Sequence, residues 1–128
     1  MITMPSPSGP HLKKLIVKKP YAVKFEMREG GKKIAWGYLY LIFQDRHAEP
    51  YGLLENVYVE KEYRSRGLGS LLIRQMIAEA KKKKCYKLIG TSKTGNTDAH
   101  KFYERLGFEK MGYEFRMDLK KSRHLQRD

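Results

Sequence analysis

The segment from residue 53 to residue 84 constrains the fold of this chain most strongly. An apolar run, Leu53 to Val59, is followed by a loop that contains Gly67 and Gly69, and then by a helical pattern that continues to about Lys84. Apolar side chains recur in that pattern at the three- and four-residue intervals that place them on one helix face. A strand that leads through a short loop into an amphipathic helix predicts a sheet with helices packed on it.

Strand patterns also occur on both sides of this segment. Residues 21–28 alternate apolar and polar side chains, and Gly30-Gly31 suits a hairpin turn to the next strand. Residues 34–43 are apolar on both faces, which indicates a central strand. The remaining predicted elements are a short strand at 86–89, a helix from Asn96 or Thr97 to about Leu106 with Gly107 as its stop, and last strands at 108–111 and 113–119. The fold class is therefore α/β in the mixed (α+β) sense, with a central mixed sheet that is mostly antiparallel.

Length and composition predict one domain over residues 1–128, with flexible tails at 1–11 and 120–128. No apolar run is long enough to span a membrane. The single cysteine, Cys85, cannot form an intrachain disulfide, which fits a reducing, cytoplasmic location.

The chain carries a formal charge of +13, and much of it is concentrated between Arg74 and Lys87. That segment has six basic residues against one acid, Glu79. Two interpretations stay open: a solvated helix face whose last-turn lysines complement the helix dipole, or a surface that binds a polyanion.

The loop before the long helix reads Arg64-Ser65-Arg66-Gly67-Leu68-Gly69-Ser70. Its glycines permit unusual dihedrals and close approach of a ligand, and the free N–H groups of a first helical turn favour anions. The arginines can add charge-assisted bonds, and Ser70 can offer its hydroxyl. No Lys-Ser/Thr pair follows the last glycine, and a third glycine is missing, which argues against a nucleotidase phosphate loop and a dinucleotide fingerprint.

A second motif follows on the next predicted helix: Asn96-x-x-Ala99-x-x-Phe102-Tyr103-x-x-x-Gly107-Phe108. Together, in this order and spacing, the two motifs resemble the GNAT superfamily of N-acetyltransferases, over roughly residues 20–119. The resemblance implies an acyl-CoA N-acyltransferase fold with a V-shaped splay in the sheet. It also implies acetyl-CoA as cofactor, with the pantetheine arm entering between the strands at 53–59 and 86–90 and pairing with backbone near a bulge at 56–59.

The resemblance assigns Tyr103 as the general acid for the departing thiolate, although a tyrosine packed beside Phe102 would look the same. Backbone N–H groups near Val57 are expected to polarise the thioester carbonyl. Glu55 is the candidate base, as a partly buried carboxylate in an apolar strand, or else a strand-edge acid paired with a lysine. Asn96 either contacts the cofactor or only caps its helix. The residues expected at acetyl-CoA are Val57, Tyr58, Val59, Arg64, Ser65, Arg66, Gly67, Leu68, Gly69, Ser70, Asn96, Ala99, Phe102 and Tyr103.

These features predict an acetyl-CoA-dependent N-acetyltransferase, a transferase that works by direct attack in a ternary complex. Cys85 suggests a covalent intermediate, but a structural thiol is the favoured interpretation, and the scattered histidines indicate no metal site. The acceptor is expected to be a primary amine of a protein, peptide or small molecule. Segments 55–59 and 85–88 also resemble glucosamine-6-phosphate N-acetyltransferases. A non-catalytic basic module that binds nucleic acid or CoA is the alternative. A homodimer is possible, and paired C-terminal strands would be a natural interface for it.

Overall fold

A computed structural model of the chain describes residues 10, 12–15, 21–92 and 94–120. The chain divides after Ile89 into two compact units, each described separately below. The tails expected at 1–11 and 120–128 lie outside the described residues, apart from residues 10 and 120. The expectation of one domain over the whole chain therefore stays a prediction.

The first unit is a four-stranded sheet with one long helix. Its strands are β1 (Tyr21–Glu29), β2 (Lys32–Ile42), β3 (Tyr51–Val59) and β4 (Leu88–Ile89), in that spatial order. The first three strands pair antiparallel, and β4 pairs parallel to β3. This arrangement confirms the predicted mixed, mostly antiparallel sheet.

The sequence pattern explains the first two strands. Alternate residues of β1 are half-buried and exposed, as a strand with one solvent-facing side requires. Gly30 and Gly31 have φ angles of 57° and 80°, the left-handed values that a two-residue hairpin turn needs. β2 lies between β1 and β3, and most of its residues are buried, which confirms the predicted central strand.

The helix α1 (Leu68–Lys82) packs against β2 and β3, and this contact forms the core. Its buried residues, Leu72, Ile73, Met76 and Ala80, recur at the predicted helical interval, whereas Leu71 is exposed. Fully buried Leu39 of β2 supplies the sheet side of the core. Removing these side chains from water stabilises the unit by about 1.5–3 kcal/mol for each large aliphatic group.

β4 pairs with β3 only through Gly52 and Leu53. Beyond that point, within residues 21–89, no strand pairs with this edge of β3, so the edge from 54 to 59 is open. Loss of pairing after two residues is the geometry that a splayed sheet produces.

The second unit contains the helix α2 (Thr97–Arg105). Gly107 has a φ angle of 101°, and its N–H donates to the carbonyl of Glu104, which ends the helix where the sequence predicted. The last strands predicted at 108–111 and 113–119 are wrong, because no residue between 108 and 119 is in a strand. An alternating pattern is only compatible with a strand; a neighbouring edge must also supply the hydrogen bonds.

Within the described residues, neither helix has the length and apolar character needed to cross a bilayer.

Candidate functional site

The last third of β3 contains a bulge. Trp36 pairs with Tyr58 and Tyr38 pairs with Glu55, so two residues of β3, Asn56 and Val57, oppose the single residue Gly37. Asn56 has a φ angle of 51°, a left-handed value that asparagine tolerates better than most residues. The bulge implied by the family resemblance is therefore present, on the strand whose other edge has no strand partner beyond Leu53 within residues 21–89.

Gly37, which lies opposite this bulge, is closely surrounded by side chains of α1 and β3. A Cβ at Gly37 would lie 3.1 Å from Sδ of Met76 and 3.4 Å from Cγ2 of Val57. The absence of a side chain there lets α1 pack closely against the bulged part of the sheet. The bulged part of the sheet thus packs against Met76 in the core of the first unit.

The loop between β3 and α1 leads into a helix whose first turn has no side-chain cap. Ser65 and Gly67 both have left-handed φ angles, 65° and 77°. Gly67 is the residue before the helix and makes no side-chain cap, and the first turn contains no acidic residue. The first helical hydrogen bond runs from the N–H of Leu71 to the carbonyl of Gly67.

The N–H groups of Leu68, Gly69 and Ser70 therefore precede the first bonded residue of α1 and have no carbonyl partner in the helix. These donors, with the positive end of the helix dipole behind them, fit a diphosphate. Ser70 adds a hydroxyl, whose oxygen accepts a hydrogen bond of 3.3 Å from Nε of Arg74. The hydroxyl proton remains available to donate.

Gly69 needs no special backbone conformation, because its φ angle is not among the left-handed ones. A Cβ there would lie 3.8 Å from Cγ2 of Val59, which is an ordinary contact. The first unit thus has room for a Cβ at position 69, and its packing gives no reason to prefer glycine over alanine.

Both arginines of the loop have partners within the first unit. Nε of Arg64 donates to the carbonyl of Val59 at 2.8 Å, and its guanidinium lies 5.2 Å from the ring centroid of Tyr58. Arg66 lies 3.8 Å from a carboxylate oxygen of Glu29 and 5.0 Å from the ring of Tyr63. These contacts fix the loop against the end of β3 and against β1. The phosphate contacts expected of the two guanidinium groups stay a prediction.

Glu55 is exposed on β3, so the partial burial expected from the apolar sequence around it is wrong. Neighbours in sequence do not bury a side chain on the solvent-facing side of a strand. Among the described residues no lysine forms an ion pair with Glu55 either. Val57, Tyr58 and Val59 are half-buried.

The second unit contains the other motif. Asn96 precedes α2, and its Oδ1 accepts a hydrogen bond of 3.1 Å from the N–H of Ala99. The cap interpretation of Asn96 is therefore confirmed, and its amide N–H₂ group can still contact a ligand. Ala99 and Phe102 are half-buried.

Tyr103 packs within the second unit against aromatic and glycine neighbours. Its ring lies edge-on to Phe102 at 5.8 Å and to Phe108 at 5.2 Å between centroids. A Cβ at Gly90 would lie 3.0 Å from the tyrosine ring and 3.5 Å from its hydroxyl oxygen. Packing beside Phe102 is thus present, and the acid role expected of Tyr103 stays a prediction.

Burial raises the pKa of the Cys85 thiol, which is partly covered at the junction between α1 and β4. Its N–H donates to the carbonyl of Ala80 at 3.0 Å. A raised pKa keeps the group as the weakly nucleophilic thiol at neutral pH, which supports the structural interpretation. In the part of the chain that the structure describes, no three His, Cys, Asp or Glu side chains are grouped to hold a metal ion.

The family model described as the acetyltransferase (GNAT) family matches residues 6–108 of this chain. The chain belongs to the GNAT family. The match includes both motifs and the whole described sheet. Members of this family use acetyl-CoA as the acetyl donor.

Among curated proteins, a glucosamine 6-phosphate N-acetyltransferase of Trypanosoma brucei brucei is 38% identical over 68 residues, which are 53% of this chain and 44% of that protein. This chain thus matches less than half the length of this relative. A solved structure of a putative acetyltransferase from Agrobacterium tumefaciens str. C58 is 32% identical with a TM-score of 0.69, over 77% of this chain and 71% of that one. A Trypanosoma brucei acetyltransferase is 31% identical with a TM-score of 0.67, over 77% and 69%.

The sequence did not predict the contacts that hold the loop at residues 64–70 in place. The guanidinium of Arg64 lies over the ring of Tyr58, and Arg66 pairs with Glu29. Arg74 donates a hydrogen bond to Ser70. Only the contact between Arg74 and Ser70 has a sequence signal, the four-residue spacing on one helix face. The other two join different elements, and no local pattern predicts them.

Proposed function

We propose that this chain transfers an acetyl group from acetyl-CoA to a primary amine by direct attack in a ternary complex. One observation carries the proposal: within the first unit, a strand with a bulge and an open edge runs through a tight loop into an uncapped helix. The donors at 68–70 fit a diphosphate, and the open edge of β3 fits an amide-containing arm that can pair with it.

Acetyl-CoA would supply an acetyl group that is already activated as a thioester. Leu68, Gly69 and Ser70 would bind the diphosphate, and the backbone from 56 to 59 would bind the pantetheine. A bulge leaves one residue of the bulged strand, here β3, outside the ladder, so backbone N–H groups near Val57 can polarise the acetyl carbonyl.

Two side chains complete the proposed chemistry. Glu55, which is exposed, accepts a proton from the incoming ammonium directly or through water, so that the amine attacks in its neutral form. Tyr103 donates a proton to the departing sulfur. The raised pKa of Cys85 disfavours a covalent acetyl-enzyme at that residue.

The test is a screen of amines, amino sugars, polyamines and peptides with acetyl-CoA, in which thiol release and the acetylated product are both measured. We expect turnover with at least one amine class. Glu55→Gln and Tyr103→Phe should each lower kcat by about 10²-fold or more while changing acetyl-CoA affinity little, because each removes a proton-transfer group. Unchanged turnover in either variant would exclude that residue's role.

A second, narrower function is favoured by the relative that is 38% identical: acetylation of an amino-sugar phosphate. The formal charge of +13 suits a phosphorylated acceptor. Glucosamine 6-phosphate and glucosamine should be compared in the same screen. A higher kcat/KM for the phosphorylated sugar supports this acceptor, and equal values for the two sugars would contradict it.

A further inference from the structure

The first unit has a second charged surface, at the end of the helix opposite Gly67. Three backbone hydrogen bonds of 2.9–3.0 Å connect this end of the sheet and helix: Cys85 to Ala80, Tyr86 to Pro50, and Gly52 to Lys87. The fifteen residues of α1 span about 22 Å. This surface is therefore separate from the diphosphate donors at 68–70.

Lysine ammonium groups dominate this end. Residues 81–87 contain five lysines and no acid. Lys83 is engaged, because its Nζ lies 3.9 Å from Glu79 and 5.2 Å from the ring of Tyr21. Lys81, Lys82 and Lys84 are exposed, and none of them forms an ion pair within the described part of the chain. Three unpaired ammonium groups within four residues attract a chain of negative charges.

An aromatic platform lies beside Lys87, which follows these lysines in the chain. The rings of His47 and Tyr86 stack at 3.8 Å with an interplanar angle of 22°, and Tyr51 lies edge-on to Tyr86 at 6.3 Å. Nζ of Lys87 lies 5.1 Å from the Tyr51 centroid and 5.5 Å from the Tyr86 centroid. His47 is exposed, in a loop that also carries Asp45, Arg46 and Glu49. One face of the imidazole contacts Tyr86, and because His47 is exposed we expect a planar group to reach the other face.

We propose that this basic aromatic surface, formed by His47, Lys81, Lys82, Lys84, Tyr86 and Lys87, binds single-stranded nucleic acid. The lysines neutralise successive phosphates, and an unpaired base stacks on the imidazole of His47. Cations combined with an exposed stacked ring are the two features that single strands require. An anionic lipid surface or an acidic peptide would use the lysines alone and would leave the stacked pair without a role.

The charge component is tested on the full chain with a labelled single-stranded RNA of about 12 nucleotides, by fluorescence anisotropy between about 0.05 and 0.2 M salt. The test variant is Lys81→Gln, Lys82→Gln, Lys84→Gln. The control is Lys13→Gln, Lys101→Gln, Lys110→Gln, three exposed lysines outside the segment 81–87; each set lowers the formal charge from +13 to +10 (13 − 3). The test variant should lose at least ten-fold in affinity, and the magnitude of its salt slope should fall by about 2, since each single-strand phosphate contact contributes about 0.7. The control should change little.

The stacking component is tested with His47→Ala. This variant should lose about five-fold or more in RNA affinity with the salt slope unchanged, because stacking involves no counterion release. An abasic oligonucleotide of the same length should bind wild type and His47→Ala equally. Circular dichroism of each variant checks that the fold is retained.

Saturating acetyl-CoA should leave RNA affinity unchanged, since its proposed site is at the other end of α1. Failure of the acetyltransferase assay therefore would not bear on this surface. Equal losses of RNA affinity in the two triple variants would show that binding depends only on the overall charge, and this result would overturn the proposal. Binding to phosphatidylserine vesicles that the test variant weakens, without binding to RNA, would assign the surface to a membrane instead.

Discussion

Gly67 and Gly69 are one residue apart but have different structural requirements. Gly67 has a left-handed φ angle of 77°, which other residues adopt only with strain. Gly69 has neither a left-handed backbone nor a close neighbour at its Cβ position. We therefore expect the reason for glycine at 69 to be a ligand that approaches the backbone.

We predict that Gly69→Ala increases stability and decreases binding. The free energy of unfolding should rise by up to about 1 kcal/mol, because alanine favours the helix. The dissociation constant for acetyl-CoA should rise by ten-fold or more, since the new methyl group occupies the approach to the N–H donors. Urea denaturation and isothermal titration calorimetry measure the two effects.

Gly67→Ala is the matched control for this prediction. It should lower the free energy of unfolding by about 1–2 kcal/mol, because its backbone is left-handed. If Gly69→Ala binds acetyl-CoA as tightly as wild type, the ligand does not approach this turn.

At the level of single residues, the sequence predicted the loop but not its internal contacts. The spacing of arginines and glycines predicted an anion-binding loop at residues 64–70, because glycines and charged residues can be identified from the sequence alone. The left-handed conformations of Asn56 and Ser65 were not visible, because neither residue requires them. The exposure of Glu55 depends on which side of β3 it occupies, and the bulge alters that alternation.

At the level of elements, α2 depends on its cap. The N–H groups of a first helical turn lack helical partners, and the side chain of Asn96 satisfies that of Ala99. This helix has only nine residues and no fully buried ones, so the cap is a substantial part of what stabilises it.

We predict that Asn96→Ala lowers stability by about 1 kcal/mol, because the cap is lost. Asn96→Asp retains a capping oxygen and should keep near wild-type stability. Thermal denaturation with amide hydrogen exchange in α2 measures the effect. Acetyl-CoA affinity of Asn96→Asp then separates the two roles: unchanged affinity indicates a cap alone, and weaker affinity indicates that the amide N–H₂ group also binds ligand. Wild-type stability in Asn96→Ala would contradict the cap.

Elements with local signals were the predictable ones. β1 and β2 combine alternating or continuous apolar patterns with a Gly-Gly turn that fixes their pairing. The segment 108–119 has an alternating pattern too, but it is not a strand. A strand needs a neighbouring edge to pair with, and the pattern of the segment does not show whether one is present. The sequence alone therefore could not show whether 108–119 forms a strand.

At the level of the whole molecule, the segment after α2 exposes a row of apolar side chains. Residues 111, 113, 115, 117 and 119 are Met, Tyr, Phe, Met and Leu, and each is 80–93% exposed. Large exposed apolar patches mark interaction sites. The homodimer expected from the sequence stays a prediction, and this segment is where we expect its interface.

We predict concentration-dependent dimerisation in sedimentation velocity experiments. Phe115→Ser combined with Met117→Ser should weaken the dimer by ten-fold or more, since apolar surface no longer becomes buried. Glu114→Gln, in the same segment but outside the apolar row, is the control. A monomer at every concentration would exclude the dimer.

The central claim is that the start of α1 binds the diphosphate of coenzyme A. Amide chemical shifts of the ¹⁵N-labelled chain test it most directly, in parallel titrations with coenzyme A and with pantetheine, which lacks the diphosphate. We predict large shifts for Leu68, Gly69 and Ser70 with coenzyme A and small ones with pantetheine. Binding of coenzyme A that leaves these three amides unshifted would contradict the account.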